Sequence, residues 1–405
     1  MLRAGVACSL DPDPARAAEA AAAGALAAAG LDSAQAALLF ASAHHAAAAE
    51  RLCAAAVDRL GTRALAGSTA HGVISGAHEE EERPAVSVIA LSGVEVAPFL
   101  LGDLAGAEDA AGLEIEAVLG GSATERDLVV LFADPLALDA PRLLGGLGET
   151  LGPAAIVGAG AAPGPSGAAL GWCGREVASG GLCGLALRLA RPARAVLSQG
   201  CRPITETLCV TRVEGHWILE LDGRPALDVY REVAREPLAA DLRRAAERLL
   251  VALPRPRSPA AGAAAGAAMG APRGHASDYV VRSLAGFAPE RRAFAVAEEL
   301  RPGAPIRLAL RDADLAREDL KLALDGLRST PGPERAAAAG PAIGLYLSCS
   351  GRGRGLFRHA GLETAYVARA LSPAPLGGMF GAFQFGPVAG ATELLTYAGV
   401  LALIG

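Results

Sequence analysis

A pattern of strand, helical segment and strand occurs three times along the 405-residue chain. In each copy the second strand runs into a glycine-rich loop. The spacing of about 30 residues is that of a βαβ unit, in which the two strands are parallel. The copies are Ala37–Ser42 with Ala64–Gly72, Leu128–Asp134 with Ala154–Gly160, and Ile343–Ser348 with Pro375–Gly381.

Another apolar run follows each copy and indicates an added antiparallel strand, a hairpin partner reached through the glycine-rich loop. The repeat therefore predicts an α/β chain with α+β character, in which mixed β-sheets are flanked by helices. The added runs are Ala85–Leu91, Gly184–Leu189 and Leu394–Ile404.

The chain changes character between Val196 and Leu221, where β-rich segments are followed by the turn Asp222–Pro225. This junction predicts two domains, 1–222 and 223–405. The second begins with a predicted helix, Ala226–Leu250, and a Pro/Ala/Gly-rich stretch, 254–277, is expected to be a flexible loop. Short strands are predicted after it at Tyr279–Arg282, Phe294–Val296 and Ile306–Leu310.

Composition excludes several classes of protein. A net charge of −6 gives no electrostatic footprint for nucleic acid. The seven cysteines are scattered without a Cys-x-x-Cys pair, so neither a disulfide framework nor a zinc ribbon is expected. No apolar run reaches the roughly 20 residues that cross a bilayer, and no signal peptide is recognisable. We therefore expect a soluble, cytoplasmic protein without membrane insertion.

The strongest candidate site follows the third apolar strand, where the chain opens into Ser348-Cys349-Ser350-Gly351-Arg352-Gly353. Loops at strand ends are where α/β proteins usually bind small ligands. Backbone N–H groups together with Arg352 would form a seat for an anion. The nearby guanidinium groups would also lower the pKa of the Cys349 thiol and make it reactive. The alternative is that Cys349 is a packed core residue and that the arginines are structural or solvated.

Further candidates lie at other predicted strand ends. Arg311 and Asp312 form a pair suited to the carboxylate and ammonium of an amino acid, or else a structural salt bridge, and Arg282 closes another strand. Ser68, Thr69 and His71 lie in the first glycine-rich loop, which is either a pocket wall or a tight turn. Neither this loop nor its counterpart in the third copy matches a nucleotide-binding motif.

The acidic run Glu79–Glu82 is expected to be a solvated turn.

Haem binding would need an axial histidine in an apolar pocket, and the candidates are His44, His45 and His71. Their alternative assignment is as polar loop residues.

Motifs along nearly the whole chain resemble the FIST (F-box and intracellular signal transduction) family, first its N-terminal and then its C-terminal domain. They are Phe40–His45, Gly67–Ile74, Pro84–Leu91, Ser198–Ile204, Val210–Arg212, Glu220–Ala226, Tyr279–Arg282, Leu310–Ala313, Ser348–Gly353, Phe385–Val388 and Thr396–Tyr397.

The resemblance implies a sensory module that binds small polar ligands, and amino acids are among the ligands suggested. We expect it to act on a separate signalling protein, because the chain has no room for a kinase, methyl-accepting or F-box region. Gln384 stands where the family usually has an acid, which removes an anionic contact. No cofactor and no catalysis are expected. Two alternatives remain open: a haem-dependent nitric-oxide sensor, as some family members are, and a thiol enzyme using Cys349.

Overall fold

The computed structural model describes residues 1–102, 104, 106–255, 278–329 and 340–405. The predicted flexible loop, 254–277, lies outside the described residues from residue 256 onwards. The helices are α1 (Pro14–Ala29), α2 (Ala49–Leu60), α3 (Ala111–Leu119), α4 (Ala140–Leu151), α5 (Ala226–Ala234), α6 (Leu242–Ala246), α7 (Ala313–Ser329), α8 (Gly353–Phe357) and α9 (Leu362–Leu371).

The strands up to the middle of the chain are β1 (Arg3–Ser9), β2 (Ala36–Ser42), β3 (Leu65–Ala70), β4 (Gly72–Ser75), β5 (His78–Glu80), β6 (Val86–Ser92), β7 (Glu95–Leu101), β8 (Asp127–Ala133), β9 (Ala155–Gly160), β10 (Gly171–Cys173), β11 (Glu176–Ala178), β12 (Leu182–Arg188), β13 (Arg194–Gln199) and β14 (Cys201–Pro203). The remaining strands are β15 (Leu208–Glu214), β16 (Trp217–Leu221), β17 (Arg224–Pro225), β18 (Leu249–Pro254), β19 (Tyr279–Arg282), β20 (Leu284–Ala288), β21 (Ala293–Val296), β22 (Pro305–Arg311), β23 (Ile343–Cys349), β24 (Leu376–Gly381), β25 (Gln384–Val388), β26 (Ala391–Leu395) and β27 (Ala398–Ile404).

The threefold repeat is confirmed by three six-stranded mixed sheets. Each contains one parallel pair: β2 with β3, β8 with β9, and β23 with β24. The predicted added runs form β6, β12 and β27. They pair antiparallel with the first strand of each pair instead of with the second, and each carries an outer antiparallel strand, β1, β7 or β13. The predicted fold class, mixed sheets flanked by helices, is therefore confirmed.

The three units are joined by exchange of short hairpins. The β4–β5 hairpin of the first unit pairs with β24 of the third, the β10–β11 hairpin of the second with β3 of the first, and the β25–β26 hairpin of the third with β9 of the second. Each unit thus gives a hairpin to one neighbour and receives a hairpin from the other, so that the three exchanges form a closed cycle. Each sheet is therefore completed by a neighbouring unit.

A ring of backbone hydrogen bonds marks the place where the three units meet. Topologically equivalent amides donate to equivalent carbonyls at the same length: His71 N to Phe380 O, Ala162 N to Thr69 O and Ala382 N to Gly160 O, all 2.9 Å. The core beside this ring is apolar and closed, with the Phe40 and Phe132 rings 5.4 Å apart. One hydrophobic cluster therefore spans the three units, and each unit has a further cluster of its own.

Glycine is required at one equivalent position in the second strand of each pair. A Cβ atom would lie 1.8 Å from Leu39 O at Gly67, 2.3 Å from Leu131 O at Gly158 and 1.8 Å from Tyr346 O at Gly378. No real Cβ contact is that short, so a side chain at these positions would push the parallel strands apart.

A nine-stranded antiparallel sheet is inserted into the third unit, between β13 and α7. It contains β14 to β22 and includes the predicted strands around residues 279–282, 294–296 and 306–310. The predicted domain boundary after residue 222 lies in the turn between β16 and β17. The third unit is thus assembled from β13 and from the chain after residue 312.

The predicted helix Ala226–Leu250 is wrong in its extent. The structure has α5, then α6, and residues 249–254 form β18. Pro237 interrupts the segment because proline has no N–H to donate and disfavours helical backbone at the residue before it.

We predict that Gly378→Ala lowers the free energy of unfolding by about 3 kcal/mol or more, since the new methyl group would overlap the Tyr346 carbonyl. Chemical denaturation of the purified protein measures the loss. The matched control is Gly145→Ala in α4, where nothing lies within 4 Å of an added Cβ and stability should rise by up to about 1 kcal/mol. Equal, small effects of the two substitutions would contradict the packing argument.

Candidate ligand-binding site

The predicted loop begins where β23 leaves the core. Ser350 N donates to Gly381 O at 2.9 Å, and Arg352 N donates back to Cys349 O at 2.8 Å. Gly353, the first residue of α8, has a φ of 49°, a left-handed conformation that suits glycine. The loop is therefore a tight turn with its amides directed at neighbouring protein groups.

Arg352, predicted to grip an anionic ligand, is fully buried (0% exposed). Its Nε donates to Glu363 Oε1 at 2.7 Å, and its guanidinium carbon lies 5.7 Å from the centre of the Phe357 ring. Tyr346 and Ser348 donate to the same carboxylate. The guanidinium thus pins the loop to α9 and is not open to a ligand in this structure.

The predicted anion seat is occupied by a carboxylate of the protein itself. Glu81 Oε1 accepts from Arg354 N at 2.8 Å, and a Cβ on Gly353 would lie 2.7 Å from the same oxygen. Glu79 Oε1 accepts from Gly361 N at 2.5 Å. The acidic run is therefore not wholly a solvated turn: Glu79 and Glu81 are half-buried against the third unit.

The environment of Cys349 does not favour a reactive thiol. The residue is 4% exposed, and its sulfur accepts from Gly351 N at 3.4 Å. Burial raises the pKa of the thiol and outweighs the opposing influence of Arg352 and Arg311. Because the thiolate is the nucleophile, this thiol is poorly activated.

Arg282 and Asp312 are both engaged by the protein. Arg282 donates to Glu298 Oε2 at 2.7 Å and to Leu394 O at 3.0 Å, which ties the inserted sheet to the β25–β26 hairpin. Asp312 Oδ1 accepts from the backbone amides of Asp314 and Leu315 at the start of α7. In this structure Asp312 therefore does not pair with Arg311 to face a ligand.

Arg311 lies at the junction of the inserted sheet and the third unit. Its Nη2 donates to Gly351 O at 2.5 Å, and its guanidinium carbon lies 5.6 Å from the centre of the Tyr397 ring. Tyr397 O accepts from Gly200 N at 2.7 Å. The Tyr397 backbone has a φ of 56°, rare for a bulky residue and found where surrounding structure imposes it.

Two buried glutamines lie on segments that border the same junction. Gln199 Nε2 donates to Tyr279 O at 3.3 Å, and the following residue contacts Tyr397. Gln384 is 0% exposed and lies on the hairpin that leads into Tyr397. We refer to Gln199, Arg311, Gly351, Gln384 and Tyr397 as the Arg311 cluster.

The Arg311 cluster contains buried polar atoms without a hydrogen-bond partner among the described residues: Arg311 Nε, Gln199 Oε1, Gln384 Oε1 and Gln384 Nε2. Leaving one such group unsatisfied costs about 1–3 kcal/mol. Native proteins rarely retain these groups unless water or a ligand reaches them. Sequence reasoning identified Arg311, Gly351 and Gln384 but missed Gln199 and Tyr397, although both stand in the family-like motifs.

Ser68, Thr69 and His71 lie at the meeting point of the three units. Thr69 Oγ1 donates to Ala162 O at 2.6 Å, and Ser68 Oγ contacts Met379 Sδ at 3.6 Å. The His71 amide takes part in the ring of hydrogen bonds. The acceptor of the His71 amide is Phe380, and the next residue, Gly381, accepts from Ser350 N. The first-unit loop therefore borders the turn at Ser350 but is not part of the Arg311 cluster.

The predicted haem candidates do not converge. His44 is exposed, with Nδ1 3.3 Å from Ser42 Oγ, whereas His45 is 4% exposed and its Nε2 has no partner among the described residues. A Cβ on Gly164 would lie 2.7 Å from the Ala46 methyl group, so the covering loop is packed tightly beside His45. The residues around His45 therefore do not fit a macrocycle.

Neither a metal centre nor a membrane span is found in the part of the chain that the structure describes. No three or more His, Cys, Asp or Glu side chains there are placed to hold a metal ion. No helix there is long and apolar enough to cross a membrane.

Comparison with protein families matches the FIST N domain at residues 35–224 and the FIST C domain at residues 226–387. The chain therefore belongs to the FIST family, whose domains are in general sensory and signal-transduction domains.

Similar proteins occur in mycobacteria. Uncharacterized proteins from two strains of Mycobacterium tuberculosis are 33% identical over 407 residues, covering 99% of this chain and 99% of theirs. An uncharacterized protein of Mycobacterium bovis is 31% identical over 371 residues, covering 91% of this chain and 89% of its own. Among solved structures, a cyanuric acid hydrolase from A. caulinodans matches with a TM-score of 0.27 and 15% identity over 46% of this chain and 70% of its own.

We predict that Glu79 makes stability depend on pH. Burial raises the pKa of its carboxyl group from its usual value of 4.5 to about 7. Because the folded state holds the proton more tightly, this stabilisation is complete below about pH 4.5 and is lost as the pH rises through 7. Because Glu79 is only half-buried, solvent screening reduces the stability effect of this pKa shift. Between pH 5 and 8 we therefore expect the free energy of unfolding to fall by about 1–2 kcal/mol less in Glu79→Gln than in the wild type.

Urea denaturation at several pH values checks this prediction. The control is Glu19→Gln, which changes an exposed glutamate on α1 and should leave the pH profile as in the wild type. Parallel profiles for Glu79→Gln and the wild type would show that the Glu79 carboxyl is not the titrating group.

Proposed function

We propose that this FIST protein senses a small polar metabolite, with an amino acid as the best chemical match, by binding it at the Arg311 cluster. The observation that carries the proposal is the set of buried polar atoms without partners on Arg311, Gln199 and Gln384. They lie on segments of the inserted sheet, of the strand before it and of an exchanged hairpin. A ligand there would contact all three parts of the molecule.

The chemistry of these atoms supports a ligand with both acceptor and donor groups. Arg311 Nε and Gln384 Nε2 are donors, and a carboxylate would satisfy them. Gln199 Oε1 and Gln384 Oε1 are acceptors, and an ammonium group would satisfy them. With Gln384 neutral, recognition of the ammonium group depends on hydrogen bonds instead of on an ion pair.

We propose further that the ligand is bound without being converted and that the response passes to a separate signalling protein. Support for the first point comes from Cys349, whose burial raises the thiol pKa and leaves the loop without an activated nucleophile. Support for the second comes from the family, whose domains serve signal transduction.

Titration calorimetry of the full chain with each proteinogenic amino acid tests the proposal. We expect binding of one or a few of them. Gln384→Met keeps the side-chain volume and removes the amide, so affinity should fall about tenfold or more while the ligand-free protein becomes about 1–3 kcal/mol more stable. The matched control is Gln35→Met, which changes an exposed glutamine immediately before β2 and should leave affinity unchanged.

Two results would overturn the proposed function. One is the absence of binding by every amino acid tested. The other is equal affinity of the wild type and Gln384→Met, which would place the ligand elsewhere.

The haem alternative rests on His45, whose buried Nε2 lacks a partner among the described residues. Burial lowers the pKa of His45, which favours the neutral form that a metal ligand requires. Because Gly164 and Ala46 pack closely beside it, we predict that the protein expressed with a haem supply shows no Soret absorption band. A Soret band that disappears in His45→Ala would favour the alternative.

A further inference from the structure

The three equivalent outer strands β1, β7 and β13 each lie at the edge of a six-stranded sheet. An edge strand offers unpaired backbone groups to another chain, and proteins usually protect it with charge, proline or a covering element. Two of the three edges are protected. Pro98 stands in the middle of β7, and the Asp319 carboxylate accepts from Gln199 N at 2.7 Å at the end of β13.

The β1 edge has no such protection among the described residues. It is seven residues long and contains neither proline nor an acidic residue. Its one charged side chain, Arg3, is turned back so that Nη1 donates to Gly30 O, the C-cap of α1, at 3.0 Å. The guanidinium therefore does not guard the edge.

The β1 sequence is complementary to itself in an antiparallel arrangement. In a strand, the N–H and C=O groups of every second residue point towards the open edge. An even-numbered residue of one copy must therefore lie opposite an even-numbered residue of the other, and an odd-numbered residue opposite an odd-numbered one. The register centred on Val6, the midpoint of the strand, places Arg3 opposite Ser9 and Ala4 opposite Cys8. This register sets no like charges opposite each other, and it brings together Leu2 and the exposed Leu10 just beyond the strand ends.

We propose that two copies of this chain associate through antiparallel pairing of their β1 strands, centred on Val6, to form one continuous sheet across a twofold axis. The occupant of the edge is a second copy, because this register sets no like charges opposite each other and brings the exposed Leu10 of each copy against Leu2 of the other. The pairing lies on the first unit, away from the Arg311 cluster, and does not depend on the proposed ligand.

Site-specific cross-linking tests the register. In a Cys209→Ser background, which removes another exposed thiol, Ala4→Cys places a new thiol opposite the native Cys8 of the second copy. A short bismaleimide should join most of the chains into covalent dimers. The parent with Cys8 alone and the Ala4→Cys/Cys8→Ser variant should give few dimers, because each then has an alanine or serine opposite its thiol.

Charge exchange tests the same register without cross-linking. Ser9→Arg sets an arginine opposite Arg3 twice in each dimer and should lower the dimer affinity roughly tenfold in analytical ultracentrifugation. Adding Arg3→Glu should restore it. A monomeric wild type, equal cross-linking in the three cysteine variants, or failure of Arg3→Glu to rescue Ser9→Arg would each overturn the proposal.

Discussion

In each of the three units, the two parallel strands approach each other so closely that the second strand carries a glycine at the point of contact. Without a side chain at Gly67, Gly158 and Gly378, each second strand reaches the carbonyl of its partner. That approach aligns the strand ends so that the ring of amide-to-carbonyl bonds closes at the meeting point of the units. The hairpin exchange then makes each sheet depend on a neighbouring unit, and one hydrophobic cluster spans all three units.

The three units share this framework but differ at the strand ends that surround it. Ser42, Asp134 and Cys349 hold equivalent positions. Asp134 accepts from backbone amides of its own unit, and Ser42 accepts from Ala85 N. The third unit receives the inserted sheet, and three residues on segments that border this junction, Arg311, Gln199 and Gln384, carry buried polar atoms without partners among the described residues. The proposed ligand site therefore lies in the unit that carries the insertion, whereas Ser42 and Asp134 serve the fold of the other two units.

The sequence predicted the parallel strand pairs because their signal is local: an apolar run, a helix and a glycine-rich loop at βαβ spacing. It did not predict the hairpin exchange, because pairing such as Gly72 with Phe380 joins short segments that are remote in the chain. For the same reason the acidic run was expected to face solvent, although Glu81 accepts from Arg354 N across 273 residues. Arg311 and Gln384 could be selected by residue type and motif. The burial that leaves their polar atoms without partners depends on tertiary packing.

The burial of Arg352 in an ion pair shows why the charge of a loop is a weak guide to its ligand. Arg352 and Glu363 are both fully buried, and removing one charge from such a pair costs about 3–5 kcal/mol, so neither is released to a ligand without a large penalty. Glu81 similarly fills the amide seat beside them. A ligand at this junction therefore gains little by displacing the ion pairs. The proposed ligand would instead bind the unpartnered polar atoms of Arg311, Gln199 and Gln384, which include both donors and acceptors.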